Sequence, residues 1–233
     1  MPPHPALEKL REQLGCLEGA QRRFSKVIPI ADAVDGWMPQ GGLPAGCIHE
    51  VKGASLASAL AFSSILSARI AGEQGNIVYI ASDRTLHPLG LLPYGIKLDR
   101  LLLVSIRRAQ DLAWALLEAL RCSQVSAVMA ALDSADLTSS RRLQLAAESS
   151  GATAFLFGRG TSASIAAPIT RWKVSARTGS PGQRFDEPVW ALDLLYCRGG
   201  RPGSWTIEWR DGRLSTLFNQ RMTAQTRHEA LAG

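Results

Sequence analysis

The chain has 233 residues, of which 46% are apolar and 20% charged, with a formal net charge of +6. A chain of this length is one large domain or a domain with appendages, and its apolar fraction is that of a folded globular protein. No apolar run reaches transmembrane length, the opening "MPPHPALEKLREQLG" lacks the layout of a secretory signal, and Cys16, Cys47, Cys122 and Cys197 are too scattered for a metal knuckle or a disulfide framework. The expectation is a cytoplasmic protein with reduced thiols, no metal and no membrane contact.

Residues 6–24 read as a helix. Leu7, Leu10, Leu14 and Leu17 repeat at spacings of three and four, which stacks them on one narrow face. That face either packs on its own domain or meets another chain. The segment "DAVDGWMPQGGLPAG" is a turn-rich lead-in. Strands are then expected at Ile48–Val51, Asn76–Ala81, Leu101–Ser105, Ser126–Ala131 and Thr153–Phe157. Helices are expected between them at Leu56–Glu73, Ala109–Cys122 and Ser139–Ser150. Strands separated by helices of ten or more residues imply a parallel sheet with helices on both faces.

After Phe157 the pattern alternates apolar and polar residues in "RWKVSAR", "VWALDLLYC" and "GSWTIEWRDGRLS", with hairpin signals at 198–203 and 210–213. This predicts an antiparallel extension at one sheet edge. The tail from Phe218 is polar, with Phe218, Met222 and Leu231 as its apolar contact points. The chain thus divides into an N-terminal helical appendage (1–26), a core (27–217) and a tail (218–233).

The strand ending at Gly53, followed by a helix, has the frame of a phosphate-binding loop of the form G-x-x-x-x-G-K-[ST]. Counted from Gly53, the second glycine, the lysine and the hydroxyl fall at Ser58, Ala59 and Leu60. Ala59 removes the cation that reaches β/γ oxygens, and Leu60 removes the Mg²⁺ ligand. Charge neutralisation and metal placement contribute most to phosphoryl transfer, so ATP turnover is not expected. Asp83 and Asp133 stand at the ends of the following strands, where a hydrolytic relative would keep acids. Without the loop they read as turn or cap residues. The four histidines are scattered, and neither G-x-S-x-G nor H-E-x-x-H occurs. His49 reads as a structural histidine within a strand.

Of the 26 basic residues, 21 are arginine. Arginine suits phosphate and carboxylate recognition, but a biased genome composition accounts for the excess equally well.

Taken together, "GGLPAGCIHEVKG", "NIVYIASD" and "AVMAALDS" resemble the core of the RecA recombinase. The late motifs "RRLQLAAESSGATAFLF" (141–157) and "RGGRPGSWTIEW" (198–209) resemble the ImuA family of bacterial mutagenesis cassettes. The resemblance spans roughly residues 27–210. It implies a RecA-like P-loop NTPase core with a degraded loop and an antiparallel C-terminal extension. It also implies a non-catalytic accessory role in damage-induced translesion synthesis. The implied partners are an ImuB-like Y-family polymerase homologue, RecA and an error-prone C-family DNA polymerase. By analogy with RecA, DNA would meet the stretches Asp133–Arg142 and Gly158–Arg171, through Arg141, Arg142, Arg159 and Arg171. Partner contact would fall to the Leu7/Leu10/Leu14/Leu17 face or to the tail. A RecA-class DNA-dependent ATPase with residual nucleotide binding and a SulA-like division inhibitor stand as alternatives. No cofactor is implied.

Overall fold

The computed structural model describes residues 24, 26–81, 87–108, 110–132, 136–159, 165–177 and 187–220, with the backbone alone at 159 and 218–220. Its centre is a nine-stranded sheet. In chain order the strands are β3 (Ile48–Gly53), β4 (Asn76–Ala81), β5 (Leu101–Ser105), β6 (Val125–Ala131), β7 (Thr153–Arg159), β8 (Thr170–Arg177), β9 (Val189–Cys197), β10 (Gly203–Arg210) and β11 (Arg213–Gln220). In space they run β11-β10-β9-β8-β3-β7-β6-β4-β5. The block from β8 to β5 is parallel, and β9 to β11 pair antiparallel. A short ribbon of β1 (Val27–Ile28) and β2 (Leu43–Pro44) lies in the lead-in, with α1 (Asp32–Asp35) between them.

Three longer helices cover the parallel block: α2 (Leu56–Ala71), α3 (Asp111–Arg121) and α4 (Leu137–Ser150). Alternation along the strands separates two cores. Phe62 and Ile65 of α2 pack with Val51, Tyr79, Phe155 and Phe157 on one face. Leu116 of α3 and Leu143 of α4 pack with Ile48, Val78, Ile80 and Leu156 on the other. The α2-side core continues through Trp172, Trp190, Trp205 and Leu214, so the C-terminal strands extend the same hydrophobic layer.

The helix limits follow local chemistry. Ser55 caps α2, and the helix stops at Gly72, whose N–H bonds Ala68 O, two residues short of the expected Glu73. Asp136 caps α4 by accepting from Ser139 N at 2.6 Å, which starts the helix two residues earlier than expected. "RWKVSAR" departs from its expected place. As β8 it pairs parallel to β3, and the antiparallel part begins only at β9. The β11 backbone pairs through Gln220, three residues past the 217/218 boundary drawn from composition. In the motif at 198–209, a Cβ on Gly203 would come within 2.5 Å of the Trp205 ring. Glycine there lets the chain pass beneath the edge-to-face pair Trp37–Trp205.

Candidate functional site

The chain leaves β3 toward β4 and later returns on both sides of it, as β7 and β8. The crevice beyond the carboxyl end of such a strand is where open α/β sheets place ligands. Here that position is the turn from Gly53 to α2. It is tight: only Ala54 and Ser55 separate strand from helix. A Cβ on Gly53 would stand 2.2 Å from Ser55 O and 3.1 Å from the Ala59 Cβ, so glycine is what lets the chain fold back.

Several of the turn's polar groups are bonded within the fold. Ala54 N donates to Val174 O at 3.3 Å. Ser55 Oγ accepts from Ser58 N at 3.3 Å and lies 3.0 Å from Ser58 Oγ. Ser58 and Ala59 sit within the first helical turn and are buried, and Leu60 packs against the core. Position 58, where the loop pattern has its second glycine, therefore has a helical backbone and needs no glycine.

Lys52, next to Gly53, does not stand in for the missing lysine. It is buried, with Nζ 3.3 Å from Glu50 Oε1. Glu50 is itself buried. Its Oε1 accepts from Ile165 N at 3.0 Å, and its Oε2 accepts from Arg171 Nε. Arg171 Nη2 also donates to Ile165 O at 2.9 Å. One carboxylate thus holds two cations and pins the segment entering β8. Arg171, expected among DNA contacts, has its guanidinium committed to this cluster.

His49 alternates with Glu50 onto the opposite face. It is fully buried and stacks on Phe155. Nε2 donates to Pro44 O at 2.8 Å, while Nδ1 accepts from Thr170 Oγ1 at 2.7 Å, whose oxygen also accepts from Trp172 Nε1. Burial pushes its pKa down to about 4, only partly opposed by the Pro44 carbonyl, so the ring is neutral and ties β2, β3 and β8 together.

Arg141 and Arg142 are exposed, and both lie on α4 rather than in a loop. Arg142 lines a groove with Trp114 and Leu117 of α3. The sequence signal for that groove was the Leu112/Leu116/Leu120 stripe, which turns Trp114 away from the core. The Glu50–Lys52–Arg171 cluster was signalled by charges inside a strand that the topology buries on both faces. Leu7, Leu10, Leu14, Leu17, Asp83, Asp133, Met222 and Leu231 lie outside the described residues, as do the side chains of Arg159 and Phe218. Cys47 and Cys197 are buried and Cys122 is exposed; Cys16 lies outside the described residues. Among the described residues no His/Cys/Asp/Glu group has metal-binding geometry, and no helix is long and apolar enough to cross a membrane.

No family model matches the chain. It is 32% identical over 212 residues to Protein ImuA from two strains of Caulobacter vibrioides, an alignment covering 82% of this chain and 87% of each relative. The chain belongs to the ImuA family.

Proposed function

We propose that this protein is a non-catalytic adaptor with a RecA-like core, acting in the cytoplasm in the mutagenic response to DNA damage. The observation that carries this reading is the closed turn after β3. Helix α2 begins three residues after Gly53, the N–H groups of Ala54 and Ser58 bond within the fold, and the neighbouring Lys52 is buried on Glu50. A phosphate site needs converging free N–H groups, a mobile cation and a hydroxyl for Mg²⁺. The frame of strand, turn and helix at the point where the strand order reverses supports descent from a P-loop core. Family membership supports a place beside an ImuB-like Y-family polymerase homologue, with RecA and an error-prone C-family polymerase as further partners. DNA contact, in this reading, is weak and phosphate-driven through the exposed Arg141 and Arg142.

The test is co-purification. Tagged protein expressed with the ImuB-like homologue should retain it stoichiometrically in nucleotide-free buffer. Failure to retain it, or retention only with Mg²⁺-ATP, would refute the adaptor reading. ATP-dependent retention would favour a nucleotide-driven RecA-class relative.

A further inference from the structure

The α3/α4 pair presents a groove on its outer side, next to the core residue Leu143. Ala113, Trp114 and Leu117 form one wall, and Ser139, Arg142 and Leu143 the other, around about 210 Å³. Trp114 is 66% exposed. Leu145, one turn past Arg142 on the same side of α4, is 58% exposed. An accessible indole beside aliphatic side chains is the composition of a binding hot spot rather than of ordinary surface.

The charges around it are unbalanced. Asp136 is spent on capping α4, Glu118 is held by Arg121 at 3.2 Å, and Asp111 in the first turn of α3 is the one further carboxylate on these turns among the described residues, against four arginines. Arg142 has no ion-pair or hydrogen-bond partner among the described residues, Arg141 precedes it, and Arg107 and Arg108 lead into α3. The groove runs from the first into the second turn of both helices. An occupant complementary to this surface is apolar on one side and acidic on the other. Single-stranded nucleic acid fits less well, because stacking requires successive aromatic planes and this groove offers one indole among leucines.

We propose that the α3/α4 groove docks an acidic amphipathic helix of a partner protein, with its apolar stripe on Trp114 and Leu117 and a carboxylate on Arg142. The proposal rests on the adaptor reading and names the surface that serves it.

The probe is a fluorescein-labelled designed helix of about five turns, with leucines on one face and glutamates on the other, titrated against the full chain by anisotropy. Saturable binding is expected, weakened at least about tenfold by Trp114→Ala and by Arg142→Glu, with thermal melts unchanged because both side chains face solvent. A lysine-for-glutamate version of the helix should bind poorly to the wild type and better to Arg142→Glu. Absence of saturable binding overturns the groove, as does equal binding of the acidic and basic helices. Tighter binding of a labelled oligo-dT that is lost in Arg142→Glu overturns it in favour of a nucleic-acid face. If peptide binding fails while the ImuB-like homologue still co-purifies, the groove falls and the adaptor reading stands. If the homologue is not retained at all, the adaptor reading falls with it.

Discussion

Gly53 carries the turn after β3, because the Ser55 carbonyl occupies the space that any side chain would need. Gly53→Ala should cost about 3 kcal/mol by overpacking against backbone, measured by urea denaturation. A variant as stable as the wild type would mean the turn is open. Glu50 and Arg171 make a second single-residue test. Removing Arg171 leaves Glu50 paired with Lys52 alone, so Arg171→Ala should destabilise by about 1–3 kcal/mol through its lost charge-assisted bonds. Glu50→Gln with Arg171→Met should lose less than the sum of the two single changes, which a double-mutant cycle reads directly.

His49 supplies a pH signature. Its folded pKa of about 4 lies below the ordinary value of 6.5, so the unfolded chain binds the proton first. Its contribution is constant above pH 6.5, is lost as pH falls from 6.5 to about 4, and changes little below that. The loss totals about 3 kcal/mol at 1.36 kcal/mol per unit. Urea midpoints should show this slope in the wild type and lack it in His49→Gln.

At the level of elements, β11 shows where a composition boundary cuts through structure. Residues 218–220 pair their backbone with Ser204, Trp205 and Thr206. A chain ending at Gln220 should therefore melt higher than one ending at Leu217; equal melting temperatures would show that the last three pairs contribute nothing. The parallel strands and their helices were legible because each is a short apolar run or a periodic stripe bounded by Ser, Asp or Gly. Strand β8 was less so. Its alternation is what an antiparallel hairpin shows, and only the burial of Trp172 and Val174 against α2 assigns it beside β3. The site was legible as an absence of lysine and hydroxyl. Its replacement by internal bonds was not, since the Ala54–Val174 bond and the Glu50–Arg171 pair join residues 120 or so apart in the chain. The β1–β2 ribbon was hidden for another reason: two-residue strands carry no periodicity.

At the scale of the whole molecule, the strand, turn and helix that follow β3 serve packing. The strand, turn and α2 anchor a core that runs from Tyr79 to Leu214, and that need persists without a phosphate. The arginine excess divides on the same basis. Arg171 is internal to the fold, while Arg141 and Arg142 are free to meet a partner or DNA. Any binding to single-stranded DNA should fall steeply with salt and weaken on Arg141→Glu with Arg142→Glu. Binding indifferent to salt would contradict a phosphate-driven contact. The most direct test of the central claim is Mg²⁺-ATP binding and turnover by the purified chain, with and without DNA. No saturable binding and no turnover above background are expected. Stoichiometric binding, or turnover abolished by changing Asp83 or Asp133, would contradict a closed turn and restore the ATPase reading.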